Sequence, residues 1–134
     1  MSNFAFREMT VIDRETARRW LSILVGNPFP TDFFPATGAA CCIDGHLACV
    51  IPVYIELTTN VAVLGHCMIN PDLPATVKHQ AADANIRYAI EYVRKLGKRH
   101  ILTMFGNRAV NRIADRIGLV TADRDIEQKY CLLV

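Results

Sequence analysis

Long apolar runs, strong net charge and paired-cysteine spacing are all missing from this 134-residue sequence. No segment approaches the roughly 18 apolar residues of a membrane span, and the N-terminus lacks the basic-then-apolar layout of a signal peptide. A formal net charge of +2 is far below the strong basicity of dedicated nucleic-acid binders. We therefore expect a cytoplasmic protein that binds neither a membrane nor nucleic acid.

The cysteines point away from both a metal site and a disulfide framework. Their number is odd, most lie inside apolar runs, and they show neither C-x-x-C spacing nor histidine partners at zinc-ligand spacing. The sequence therefore predicts buried free thiols in a reducing compartment and no bound metal. The five are Cys41, Cys42, Cys49, Cys67 and Cys131.

What is present is the balance of a folded globular chain, with 51% apolar and 21% charged residues. The length and the absence of a linker or repeat predict one domain over residues 1–134. Periodicity and turn signals predict one mixed α/β sheet with helices on its faces, in the order β-α-β-β-β-α-β-α-β-β. The predicted elements are a strand around Phe4–Phe6, a helix from Asp13, strands 38–43 and 47–57, strand 60–69, helix 75–96, strand 101–105, a helix between Asn107 and Gly118, and short strands 120–123 and 129–134.

Several single residues refine the predicted strands. Asp44-Gly45 is a strong hairpin signal between the second and third strands. Pro52 cannot donate to a ladder, which places its strand at an edge or at a bulge. Gly65, in the middle of strand 60–69, predicts a bulge or a close approach of another backbone. The aromatic loop residues Phe29, Phe33 and Phe34 are expected to pack into the core, with a substrate-lining role as the alternative.

The predicted helices have their own start signals. Asp13 is the expected cap of the first helix, Thr76 of the second and Asn107 of the third. Gly118 is the expected left-handed residue after the third helix. The apolar stripe predicted for the first helix is Thr16, Ala17, Trp20, Leu21 and Leu24.

The long helix 75–96 predicts how two strands pair. A helix that joins two strands of one sheet over this length is the crossover of a parallel β-α-β unit. We therefore expect strand 60–69 to run parallel to strand 101–105.

This order of elements, together with two local patterns, resembles the GNAT family, the Gcn5-related N-acetyltransferases. The run Asn107 to Leu119 resembles the fourth-helix pattern of the family, in which an Asn is followed by small and apolar positions and then Gly-Phe. Ile69-Asn-Pro71 resembles the Val-x-Pro that ends the family's fourth strand. The chain is most similar to short, divergent GNAT-like proteins of bacteriophages, of which some acetylate host proteins and one kind is an internal virion protein.

The resemblance implies an acetyl-CoA site. In the family the cofactor lies where the fourth and fifth strands part at a bulge, with pantetheine on the fourth strand and pyrophosphate on the next helix N-terminus. Arg108 or Arg112 is a candidate ligand of the 3′-phosphate; the favoured alternative is that the basic stripe of this helix is a solvated face, and a docking surface for an acidic partner is a further one. The implied cofactor contacts are Gly65, Cys67, Met68 and Ile69 for pantetheine, Lys78 and His79 for phosphate, and Asn107 and Arg108 on the opposite lip.

Three departures from the family pattern make this implied site degenerate. The glycine-bearing phosphate loop is missing in either register: counted from Pro71, Val77 and His79 stand where its glycines belong, and counted from Gln80, Asp83 and Asn85 do. The family's general acid, a tyrosine, is replaced by Ala114. The first half of strand 60–69 has no carboxylate to act as a base. We expect acetyl-CoA binding to be weak or absent.

His66 and Glu56 are the candidate general bases, since each is an ionisable residue near the implied cleft. A packed histidine and a solvated strand end are the alternatives. Cys67 as a nucleophile is weighed against a buried thiol, and Tyr130 as a substitute acid against a packed aromatic.

The resemblance implies an acyl-CoA-dependent N-acetyltransferase acting on a protein or small-molecule amine. The alternative is a catalytically inactive GNAT-fold phage protein that serves as an interaction or virion component. The partner is then either an amine substrate or a host or virion protein. The location is the host cytoplasm or the virion, and a homodimer stays open.

Overall fold

The computed structural model describes residues 3–26 and 29–122. Six strands and three α-helices occur among them, together with one short 3-10 turn at Thr31–Phe33. The elements are β1 Phe4–Glu8, α1 Val11–Val25, β2 Gly38–Ile43, β3 His46–Ile55, β4 Val61–Leu64, β5 Met68–Ile69, α2 Ala75–Lys95, β6 His100–Thr103 and α3 Arg108–Ile117.

The sheet has the strand order β1-β2-β3-β4-β6, and β5 pairs with β3 beyond the end of β4. The neighbours β4 and β6 are parallel, in register from Val61 opposite His100 to Leu64 opposite Thr103. All other strand pairs are antiparallel. The predicted mixed sheet and its parallel pair joined through the long helix are therefore confirmed.

Side chains alternate between the two faces of β3, and a different helix covers each face. Cys49, Ile51 and Val53 are fully buried in a core shared with α2 and α3, which we call the α2-side core. Val50 instead packs with Leu21 of α1 in a second core, the α1-side core. One face of the sheet thus packs against α2 and α3, and the opposite face packs against α1.

The cap of α1 differs from the prediction. The N-cap is Thr10, whose side chain accepts a hydrogen bond from the backbone N–H of Asp13. Asp13 is the N3 residue, and its carboxylate accepts from the Thr10 backbone N–H and from Arg7. The two residues form a reciprocal capping box, and single-residue cap preferences cannot tell one end of such a box from the other.

Two further helix predictions are wrong. Thr76 does not cap α2, because the N-cap is Pro74 and no side chain caps it. Leu24 is not part of the buried stripe of α1, since 79% of it is exposed. All of residues 23–26 are exposed, so the last turn of α1 extends past the surface on which Ala17 and Leu21 are buried.

Pro52 does not mark an edge, because β3 pairs with β2 on one side and with β4 and β5 on the other. Its carbonyl accepts from the Gly65 N–H at 2.7 Å. The N and O of one strand residue point to the same side. The missing N–H of Pro52 therefore faces the break between β4 and β5, where no ladder bond is required.

Gly65 begins a bulge, as predicted. Between the pairs Leu64–Val53 and Met68–Val50, residues 65–67 lie opposite only residues 51–52. A Cβ on Gly65 would lie 2.9 Å from Cε2 of Tyr54 and 3.2 Å from the Pro52 carbonyl oxygen. The predicted strand 60–69 is therefore two short strands joined by a bulge.

The hairpin and the aromatic loop follow the prediction. Asp44 and Gly45 have φ of 49° and 81°, the positive values that a two-residue type I′ turn requires. Phe34 is 2% exposed in the α1-side core, against which Phe29 and Phe33 also pack. The packing interpretation of these aromatics is confirmed.

The C-terminal strands are the least supported part of the predicted order. Residues 120–122 do not form a strand, and Val120 is 89% exposed. Without a buried neighbour, a β-branched residue has no pleated surface to pack on, which removes the basis of its strand preference. The remaining residues, including the predicted strand 129–134, Tyr130 and Cys131, lie outside the described part.

Within residues 3–26 and 29–122, no helix combines the length and the apolar character that crossing a membrane requires.

Candidate functional site

The parting of two parallel strands defines the candidate site. The last backbone bond between them runs from the Met104 N–H to the Leu64 carbonyl, at 2.8 Å. Beyond this point β5 pairs with β3 alone, and the chain after Met104 turns away into α3. The outer edge of residues 65–69 therefore has no ladder partner among the described residues, and we call the gap between this edge and the chain after Met104 the cleft.

Both sides of this cleft lead into the start of a helix. On one side, Asn70 shapes the turn before α2, because its side-chain oxygen accepts from the Asp72 N–H and its amide donates to the Leu47 carbonyl. On the other side, the Asn107 side chain accepts from the Ala109 and Val110 N–H groups at 2.8 and 3.2 Å. Two helix N-termini, each carrying partial positive charge, thus lie at one end of the sheet.

A cavity of about 540 Å³ lies between α2 and α3. Arg116 approaches the imidazole of His79 with Nη2 2.6 Å from Nε2. Because a guanidinium group only donates, Nε2 of His79 is the acceptor of this contact. With two arginines against one aspartate, the walls carry a net positive charge suited to an anion. The lining residues are His79, Ala109, Arg112, Asp115 and Arg116.

The basic residues of α3 differ in their position relative to this cavity. Arg112, named as an alternative phosphate ligand, lines this cavity, whereas Arg108 is not among the lining residues. Arg116 lines it too, and was missed as a candidate. The i, i+4, i+8 spacing puts all three on one stripe. The contact with His79 is a property of helix packing, and only the structure reveals it.

The start of α2 departs from a close-approach phosphate loop. Pro74 provides no side-chain cap, so the N–H groups of the first turn lack a side-chain acceptor. Val77 and Lys78 are half-buried, and His79 is exposed. Side chains at these positions keep a ligand at the distance of a side-chain contact instead of letting it touch the backbone.

The four residues predicted to contact pantetheine lie on the bulge and on β5, but they do not share one face. Met68 is 4% exposed and packs in the α1-side core, whereas Cys67 and Ile69 pack against the α2-side core. Any contact from Gly65 comes from its backbone. The segment as a whole thus offers an unpaired strand edge and not a row of side chains.

His66 lies in the bulge, half-buried, between Gly65 and Cys67. Burial lowers the pKa of the His66 imidazole, so the ring is neutral at pH 7 and free to take a proton. His66 thus lies in the segment where the two strands part, and its role as a general base stays a prediction.

Glu56 lies at the other end of the sheet. It follows the last residue of β3, and the full length of β4 separates it from the bulge. Its carboxylate accepts from the backbone N–H and the hydroxyl of Thr58 at 2.8 and 2.6 Å. These hydrogen bonds from Thr58 hold the pKa of Glu56 below its ordinary value. The structure therefore does not bring Glu56 and His66 together.

The described cysteines are free thiols, of which Cys41 and Cys49 are buried and Cys42 and Cys67 are half-buried. No base contacts Cys67 among the described residues. Its sulfur lies instead 3.6 Å from the sulfur of Cys49.

No protein-family model and no curated protein sequence matches this chain. Its fold, in contrast, is shared with solved acetyltransferase structures over nearly the whole chain. It aligns with a ribosomal-protein-alanine N-acetyltransferase from Brucella melitensis biovar Abortus 2308 at a TM-score of 0.66 and 11% identity, covering 96% of this chain and 99% of that one.

Two further structures have the same fold. The ribosomal-protein-S18-alanine N-acetyltransferase from Escherichia coli aligns at a TM-score of 0.64 and 13% identity, covering 87% of this chain and 77% of that one. An aminoglycoside N-acetyltransferase in complex with CoA aligns at 0.60 and 16% identity, covering 98% and 97%. At these identities the likeness shows the fold and not the activity. The chain has the mixed-sheet fold of the GNAT N-acetyltransferases.

Proposed function

We propose that this protein is an acyl-CoA-dependent N-acetyltransferase that acts on the amine of a protein or a small molecule. The observations that carry the proposal are the unpaired outer edge of residues 65–69 and a basic cavity between α2 and α3, the two helices that follow β5 and β6 in the chain. An unpaired strand edge suits the amide-bearing arm of CoA, and the cavity suits its phosphates.

The residues present fit acetyl-CoA by charge more than by backbone contact. Arg112, Arg116 and His79 would hold its phosphates, and the free edge of residues 65–69 would hold its pantetheine arm. When bound, acetyl-CoA supplies an activated acetyl thioester. Because Val77 and His79 prevent a close backbone approach at the start of α2, we expect an affinity between micromolar and millimolar.

His66 is the proposed general base. An amine is protonated at neutral pH and has to lose a proton before or during its attack on an acyl group. The neutral, half-buried imidazole of His66 accepts that proton at the edge of the cleft. The position of the family's acidic tyrosine is Ala114, which is 4% exposed in the core. A departing thiolate therefore leaves without help from this position, and turnover is expected to be slow.

Calorimetric titration with acetyl-CoA and with CoA tests this proposal. We expect weak binding to the wild type and a loss of at least tenfold in the double variant Arg112→Ala, Arg116→Ala, since charge-assisted contacts contribute about 1.5–3 kcal/mol each. Arg19→Ala is the matched control, because Arg19 is an exposed arginine on α1, on the other face of the sheet. Equal losses in the double variant and the control would exclude the cavity as the phosphate site.

The second candidate function is a catalytically inactive GNAT-fold phage protein that acts as an interaction or virion component in the host cytoplasm. The substitutions Val77, His79 and Ala114 favour it, because they remove the family's phosphate glycines and its acid. In this case no acetyl-CoA binding is detected at millimolar concentration, and a panel of amines and peptides gives no turnover.

A further inference from the structure

Two thiols meet at the bulge. Cys49 lies on β3 and Cys67 is the last residue of the bulge, and their sulfur atoms are 3.6 Å apart. Both side chains lie on the α2 side of the sheet. On that face Cys67 is the diagonal neighbour of Cys49, since the residue directly opposite Cys49 is Ile69. We propose that Cys49 and Cys67 are a redox-active pair that forms a reversible disulfide across the bulge.

The backbone at this point has room to make the bond. A disulfide requires its two sulfur atoms to lie about 2.05 Å apart. The sulfur atoms of Cys49 and Cys67, now 3.6 Å apart, therefore have to move closer together. Residues 65–67 have one residue more than the stretch of β3 they face, and Pro52 has no N–H with which to tie them down. Residues 65–67 belong to neither the β3–β4 nor the β3–β5 ladder, so fewer backbone hydrogen bonds oppose such a shift here than within β4.

The two thiols differ in solvent exposure, and this difference indicates which of them reacts first with an oxidant. Cys67 is half-buried, whereas Cys49 is fully buried beneath α2. Burial also raises the pKa of Cys49 well above its ordinary value, so Cys49 is protonated in the reduced protein. An oxidant therefore reaches Cys67 first, and Cys49 is the resolving thiol.

The chemistry balances with a hydroperoxide as the oxidant. The Cys67 thiol takes an OH group from the hydroperoxide and becomes a sulfenic acid, and the remainder of the oxidant leaves as an alcohol or as water with the thiol proton. The Cys49 sulfur then attacks the Cys67 sulfur, the S–S bond forms, and the OH leaves as water with the Cys49 proton. The two thiols lose two electrons in total, and a dithiol reductant restores them.

Cys41 and Cys42 provide the natural comparison. Cys41 lies opposite Cys49 on β2, but it is fully buried, and burial raises its pKa to about 12. Cys42 is half-buried like Cys67 and follows Cys41 at a shift in strand register. Exposure alone thus does not distinguish Cys42 from Cys67, and contact with a second thiol does.

Peptide masses test the proposal on the full chain. Cleavage before aspartate releases peptide 44–71, whose cysteines are Cys49 and Cys67, and peptide 32–43, which carries Cys41 and Cys42. After treatment of the folded protein with hydrogen peroxide, we expect peptide 44–71 to lose about 2 Da and to regain it with dithiothreitol. We expect no such loss in Cys67→Ser, and an unchanged loss in the matched control Cys42→Ser.

Three results would contradict the proposed disulfide between Cys49 and Cys67. Peptide 44–71 could keep both thiols, it could gain oxygen atoms without losing hydrogen, or it could be joined to a peptide that carries another cysteine. The wild-type masses decide among these alone, so the proposal is tested even if Cys49→Ser or Cys67→Ser fails to fold.

A consequence for ligand binding rests on the function proposed above. A disulfide draws Cys67 toward β3, away from the cleft that its backbone borders. We expect oxidised wild type to bind acetyl-CoA about tenfold more weakly than reduced wild type, which corresponds to one or two lost backbone hydrogen bonds. Equal affinities would contradict this consequence. A reduced protein that binds no acetyl-CoA would instead refute the proposed function, while the peptide masses still decide the disulfide.

Discussion

The two halves of the segment from Val61 to Ile69 have similar apolar sequences and different structures. β4 pairs with β3 on one side and with β6 on the other. The bulge and β5 pair with β3 alone. The first half lies in the interior of the sheet, whereas the outer backbone edge of the second half has no strand partner among the described residues. The pairing changes at Gly65, whose N–H donates to the carbonyl of Pro52, a residue that has no N–H to return.

The largest expected effect compares a core residue in each half. Leu64→Ala removes a fully buried side chain from the doubly paired half and is expected to cost about 3–4 kcal/mol of unfolding free energy. Ile69→Ala removes a half-buried side chain from the other half and should cost about 1 kcal/mol, because less apolar area is lost. Urea denaturation measures both, and equal costs would show that the two halves are equally well packed.

A catalytic comparison contrasts the bulge with the turn that precedes β4. If the protein is an enzyme, His66→Ala should lower kcat about a hundredfold, the scale of general-base loss, and leave acetyl-CoA affinity nearly unchanged. Glu56→Gln at the far end of β4 should change kcat little, because its carboxylate is held in a turn by Thr58. A silent His66→Ala with an impaired Glu56→Gln would transfer the role to Glu56.

The bulge itself is tested by adding a side chain to its glycine. Gly65→Val places methyl groups against Tyr54 and the Pro52 carbonyl and should cost about 2 kcal/mol of unfolding free energy. Gly106→Ala is the control, since a Cβ there meets nothing within 4 Å, and its cost should stay below about 0.5 kcal/mol. Equal stability of Gly65→Val and wild type in urea would contradict the close approach at the bulge.

The smallest expected effect is a pH dependence of the unfolding free energy that arises from His66 in the bulge. Burial lowers the pKa of His66 in the folded state, so the unfolded chain binds the proton more tightly. Stability is therefore fully present above the unfolded pKa of about 6.5. It falls as the pH drops from there through the lower folded pKa. Unfolding free energies of wild type and His66→Gln between pH 5 and 7.5 measure this contribution, and identical slopes would show that His66 is solvated.

Local signals predicted most of the fold because their physical causes are local. Asn107 caps α3 through its own side chain, and Asp44-Gly45 turns the hairpin through its own backbone angles. Local signals were insufficient where two residues act together, as in the Thr10–Asp13 capping box. They were also insufficient at Leu24, because the burial of this side chain depends on how far the surface beneath α1 extends. The sequence shows that Pro52 cannot donate a backbone hydrogen bond, but only the pairing of β3 shows which neighbouring strand its missing N–H faces.

The sequence by itself determined the types of the elements from β1 to α3, the parallel pair joined by a crossover helix, and the glycine at the bulge, because periodicity and chain geometry set these within a few residues. Only the tertiary structure decided that Arg116 meets His79, that Cys67 meets Cys49, and that Glu56 lies a strand length from His66. The two contacts join residues 37 and 18 positions apart, whereas Glu56 and His66 are only 10 positions apart and do not meet. All three outcomes arise from how helices and strands pack against one another.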